Sequence, residues 1–227
     1  MPAPLTGSRL FVVWGLCLLA GCGGEAGSGG ATSGGAASGS VGGSGAADAG
    51  VKQYAVASLP KAVQELPALD GGRIELPTPD GWSYASQSKG LITRFHLKGR
   101  TGIPQIIVKV EESASGIASV TSQNIGEYAN QVQAELDALV QQKKITLLEP
   151  ARPLVLGDQP WARYVMTGKL PGKDLATIER QILRTTQGGR TYTIDLQVKS
   201  NDLGTHRDHA YAIAAGAKFH AAAEAEK

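Results

Sequence analysis

Residues 23–50 consist almost entirely of Gly, Ala and Ser, with Glu25 and Asp48 as the only charges. A stretch of this kind has no apolar surface to bury and cannot offset the entropy lost on ordering. Whatever folds must therefore lie after it. Residues 51–222 are long enough for one domain, with 223–227 expected to fray. The tract also carries much of the glycine excess (30 in 227 residues), which leaves an otherwise ordinary 42% hydrophobic and 19% charged chain. Its two cysteines, Cys17 and Cys22, both precede the tract. The folding segment consequently has no thiol, disulfide or thiolate metal site, and only its core can hold it.

The segment before the tract reads as an address. Arg9 is the lone charge, followed by an apolar run over residues 10–20. The run has signal-peptide length and is short for a membrane span of about 20 residues. It ends in Leu19, Ala20, Gly21 and Cys22, which resembles the lipobox of bacterial lipoproteins. That resemblance implies cleavage after residue 21 and acylation of Cys22, with 22–50 as a flexible tether of ~30 Å typical reach. An ordinary signal peptide or a short transmembrane anchor is the alternative. Gly23, where an aspartate favours inner-membrane retention in enterobacterial lipoproteins, leans the expectation towards the outer membrane, facing the periplasm or the surface. The implied partners are the membrane, through the lipid, and an envelope protein. The formal charge of +2 falls to about +1 once Arg9 is removed, which gives no case for nucleic acid.

Within the folding segment, 51–67 reads as a connector with one short helix, Ser58 capping it and Pro60 in its first turn. Strands are expected at 73–76, 91–98 and 105–111, with turns at Pro79-Asp80-Gly81 and at 99–102. One long helix is predicted over 125–142. Asn124 and Glu127 resemble a capping box, and Ile125, Tyr128, Val132, Leu136, Leu139 and Val140 form one apolar stripe. Gln131, Gln133, Glu135 and Asp137 cover the remainder, and Lys143 and Lys144 read as a solvated helix end. Further strands follow at 145–148, 154–155, 161–170, 176–186 and 190–199. Residues 171–173 turn between two of these, and Gln187-Gly188-Gly189 closes a hairpin. Tyr192, Ile194, Leu196 and Val198 alternate with Thr191, Thr193, Asp195 and Gln197, so one face is buried and the other polar. A last helix is predicted over 207–219, burying Ala210, Ile213, Ala214 and Ala217.

This order predicts an α+β fold, an antiparallel sheet with the long helix and the C-terminal helix packed on one face. Three segments carry a further likeness: 73–82 (RIELPTPDGW) leading into the sheet, 157–163 (GDQPWAR) opening a central strand, and 195–201 leading into the last helix. Together they resemble the PsbP-like fold, also seen in lipoproteins of the DcrB and LpqN type, over roughly residues 70–220. The resemblance implies an assembly, binding or stress-linked accessory role and brings no shared catalytic residues or cofactor.

Candidate chemistry is sparse. His206 and His209 share a helix face at i, i+3 with Asp202 and Asp208 nearby, the one weak metal candidate. No third ligand or zincin spacing accompanies them, and they read as exposed helix-start residues. Arg94 with His96, and Arg180 with Arg184, fall on common sheet faces that would bind an anion if open. Trp82 and Trp161 read as core or rim packing. No nucleophile elbow or phosphate loop lies outside the tract. These residues together suggest a lipid-anchored, non-enzymatic accessory or binding protein of the bacterial cell envelope, without cofactor or metal. An envelope hydrolase with a site hidden from the sequence stays open.

Overall fold

The computed structural model describes residues 51–85, 91–169 and 177–221. The signal segment, Cys22, the tether, the turn at 171–173 and the tail at 223–227 lie outside them.

Four long strands dominate: β8 (Leu147–Leu156), β9 (Gln159–Lys169), β10 (Thr177–Gln187) and β11 (Arg190–Lys199). The short strands before them are β1 (Lys52–Tyr54), β2 (Ala62–Glu65), β3 (Ile74–Glu75), β4 (Pro77–Pro79), β5 (Trp82–Ala85) and β6 (Thr93–Leu97). Then come β7 (Gln105–Glu112) and helix α1 (Ile125–Gln141); helix α2 (Leu203–Ala215) and β12 (Lys218–Phe219) close the chain. Eight strands form one sheet in the order β1-β8-β9-β10-β11-β7-β6-β5. Every pairing in it is antiparallel except β1 with β8, so the sheet is antiparallel with one parallel edge. Two small ladders, β12 with β3 and β2 with β4, lie apart from it. The β10–β11 hairpin turns at Gly188 and Gly189, both with positive φ (57° and 74°), as a tight two-residue turn requires.

The α+β class holds, with a large sheet and two helices. The placement of the helices differs from expectation, because they cover opposite faces. Along β9, Trp161 and Val165 join the core that contains Ala210, Tyr211 and Ile213 of α2. The intervening Ala162 and Tyr164 pack instead with Ile125, Tyr128, Val132 and Leu136 of α1. Adjacent strand residues point to opposite faces, so β9 is covered on both. The polar alternation in β11 suggested one wet face. In the fold, that face carries buried polar groups that satisfy one another. Asp195 is fully buried against Arg180, and Thr186 lies 3.2 Å from both Tyr128 Oη and Thr191 Oγ1. A polar residue paired across strands reads in sequence like a solvated one.

Boundary shifts have equally local causes. In 51–67 two strands replace the expected helix, leaving a single turn at Val56–Ser58. Ser58 ends that turn, its Oγ donating to Ala55 O at 2.7 Å. Asn124 makes no side-chain cap to α1. Its amide instead braces the preceding loop, accepting from Thr121 N and donating to Ser119 O. Ala129 joins the apolar stripe, whereas Leu139 is half-buried and Val140 is 40% exposed. The strands expected at 145–148 and 154–155 fuse into β8, with register irregularities between Leu147 and Glu149 and between Glu149 and Arg152. Pro150 sits in the second, where the ladder does not need its missing N–H. Helix α2 begins four residues early, at Leu203, and ends before Ala217, which is buried outside it.

Candidate ligand-binding groove

The parallel pairing of β1 with β8 sets Lys52 opposite Leu154 and Tyr54 opposite Leu156. Helix α2 crosses beside this edge and supplies Arg207 and Tyr211, which share a helix face at i, i+4. The rings of Tyr54 and Tyr211 meet at 5.2 Å and 60°. Arg163 of β9 reaches across to Glu149 of β8 and binds both carboxylate oxygens, Nη2 donating to Oε1 at 3.0 Å. Together with Arg152 these residues line a groove of about 550 Å³. Four cations face one carboxylate in it. The Arg163 hydrogen bond holds the Glu149 carboxyl below its usual range, against the opposing effect of burial, and the charges of Arg163, Arg207 and Arg152 add to the lowering. Burial raises the Tyr211 phenol, so it stays protonated at neutral pH. The groove thus offers fixed positive charge, a neutral phenol at Tyr211 and a carboxylate too weakly basic and too firmly paired to accept a substrate proton.

None of the residues singled out from the sequence lines this groove. His206 and His209 do come together, with ring centroids 6.2 Å apart, but as half-buried residues packed on Trp82, not as exposed ones. Helix α2 starts earlier than the sequence suggested, at Leu203, so both rings lie within the helix and against Trp82 of β5. No set of three His, Cys, Asp or Glu residues that would hold a metal occurs among the described residues. Arg180 and Arg184 are engaged, the first by buried Asp195 and the second by Glu135 of α1. Arg94 is exposed, and His96 Nε2 lies 3.2 Å from Ser83 Oγ. Trp82 and Trp161 are both fully buried, and Lys143 and Lys144 are exposed beyond α1. The groove residues escaped notice because they come from β1, β8, β9 and α2. Only the Arg207–Tyr211 spacing carried any signal.

The two histidines make stability depend on pH. Burial lowers both below the ordinary 6.5; Arg100 adds to this for His206 and the charge of His206 adds to it for His209, opposed by Asp202 and Asp208. A lowered folded-state value means the fold prefers the neutral rings. Their contribution is fully present above the unfolded value and is lost as pH falls through the folded values. Urea midpoints should therefore drop between about pH 7.5 and about pH 5.5, and His206→Asn with His209→Asn should shrink that drop. A drop of unchanged size in the double variant would exclude the pair as its source.

No protein-family model and no curated protein matches this chain. Solved structures resemble it at low identity. A protein of Bacteroides thetaiotaomicron VPI-5482 aligns at 12% identity and a TM-score of 0.44, covering 72% of this chain and 50% of its own, so this chain spans half of its length. The cyanobacterial PsbP protein (CyanoP) of Synechocystis sp. PCC 6803 aligns at 17% identity and 0.42, covering 70% and 93%. LpqN of Mycobacterium tuberculosis, described as involved in cell envelope biogenesis, aligns at 16% identity and 0.46, covering 70% and 91%.

Proposed function

We propose that this chain is a lipid-anchored, non-enzymatic binding protein of the bacterial cell envelope, tethered through Cys22 and holding its ligand in the groove between β1, β8, β9 and α2. The observation that carries the binding role is the composition of that groove. Among the described residues, its lining contains no serine, threonine, cysteine or histidine, and its one carboxylate is held bidentately by Arg163. Acyl and phosphoryl transfer need a nucleophile or metal, a base and charge stabilisation held together. Here charge stabilisation dominates, which suits retention of a ligand. The anchor rests on the residues preceding Cys22, and the envelope location follows from it.

Purified protein is expected to show no turnover in esterase, phosphatase and peptidase panels, with or without added divalent metal. Reproducible hydrolysis lost in His206→Ala or His209→Ala would overturn this reading and move the site to the start of α2.

A further inference from the structure

The cations of the groove are not equivalent. Arg163 and Glu149 form a closed pair, both guanidinium Nη atoms committed to both carboxylate oxygens. Lys52, Arg152 and Arg207 enter no ion pair among the described residues. Arg207 is the most telling, since its Nε is shielded from solvent and has no hydrogen-bond partner there. A buried donor left unpaired is unfavourable, and like charges around one concavity repel. An anion seated between these three side chains relieves that repulsion. Guanidinium forks match the oxygens of phosphate, and a multiply charged anion suits a threefold excess of positive charge better than a single carboxylate does.

Apolar groups complete part of the lining. Tyr54, Leu148 and Pro150 flank the cations, and Leu148 is 49% exposed, unusual for a large aliphatic side chain beside a charged cluster. The volume of about 550 Å³ falls in the range of small-molecule sites. We propose that the groove binds a phosphate-bearing amphiphile, its phosphate held by Arg207, Arg152 and Lys52 and its apolar body against Tyr54, Leu148 and Pro150. This rests on the groove being a binding site, as proposed above. The phosphate belongs either to a bilayer phospholipid or to a dispersed phosphorylated amphiphile.

The test uses residues 22–227 carrying Cys22→Ser, titrated calorimetrically with dihexanoyl phosphatidic acid below its micelle concentration, with inorganic phosphate and with uncharged hexyl glucoside. Saturable binding of the phosphatidic acid is expected, with weak competition by inorganic phosphate and none by the glucoside. Arg207→Gln should weaken binding about tenfold, the effect of one lost charge-assisted contact. Because Arg207 is half-buried, a second variant, Lys52→Gln with Arg152→Gln, alters only exposed cations. It should weaken binding severalfold and flatten its salt dependence while thermal unfolding stays unchanged. Flotation with phosphatidylcholine vesicles doped with phosphatidic acid separates the sources. Flotation lost in Arg207→Gln supports the site and points to a bilayer lipid; soluble binding without flotation supports it and points to a dispersed amphiphile. Absent saturation, equal affinity for hexyl glucoside, or affinity unchanged in both variants overturns the inference and leaves the non-enzymatic reading standing. Phosphate release from the probe would instead overturn that reading while leaving the anion site in place.

Discussion

Cys22→Ser is expected to shift the protein almost completely from the detergent phase to the aqueous phase. Each buried CH2 of an acyl chain contributes about 0.8 kcal/mol to membrane affinity, and two or three chains together hold a protein where one gives only marginal binding. The serine variant has no thiol at position 22 to take the lipid. Among the described residues, no helix is long and apolar enough to cross a membrane. Detergent-phase partitioning of wild type and variant, expressed in a bacterium with lipoprotein processing, reads the difference directly. A variant that stays in the detergent phase would mean that residues 10–20 remain as an uncleaved anchor.

Leu136→Ala is expected to destabilise the fold by roughly 2–5 kcal/mol, the range for truncating a leucine in a packed core. Leu136 is 4% exposed and belongs to the cluster in which α1 packs on Ala162 and Tyr164 of β9. The truncation leaves a cavity between α1 and the sheet face it packs on. Gln133 makes the instructive comparison. Its position off the apolar stripe suggests indifference, yet its Oε1 accepts a hydrogen bond from Ala151 N at 2.7 Å. Ala151 lies in the irregular part of β8, beyond the reach of β1, so the helix side chain satisfies a backbone group that the sheet leaves open. Gln133→Ala should therefore cost about 1–2 kcal/mol, while Asn130→Ala, at an exposed position, should stay within about 0.5. Urea titration of the four proteins checks the order. Equal effects at Leu136 and Asn130 would show that α1 does not pack through this face.

Where periodicity ran unbroken, the elements were readable. The alternation at 190–199 gave β11 to the residue, and the stripe from Ile125 to Leu136 gave α1 within one residue at its C-terminal end. Reading failed where a local signal had two meanings. Ser58 and Asn124 look like helix caps, but each bonds to a loop carbonyl instead. The short pieces around Pro150 and Pro153 looked like separate strands because a bulge interrupts the alternation without ending the strand. His206 and His209 read as an exposed helix start, whereas they lie inside α2 and pack on Trp82.

The sequence by itself determined most of the regular elements after residue 73, because side-chain period and turn chemistry act over a few neighbouring positions. The expectation at Cys22 belongs to the same level, since a processing signal is read as a linear string. Only the tertiary structure decided that the two helices take opposite faces, and that Asp195, Arg180, Thr186 and Tyr128 are satisfied inside the protein. It also decided that Lys52, Arg152, Arg163 and Arg207, spread over 156 positions (52–207), share one groove. The reason is physical: pairing of a buried polar group and clustering of like charges depend on distances across strands, and those distances exist only once the sheet has formed.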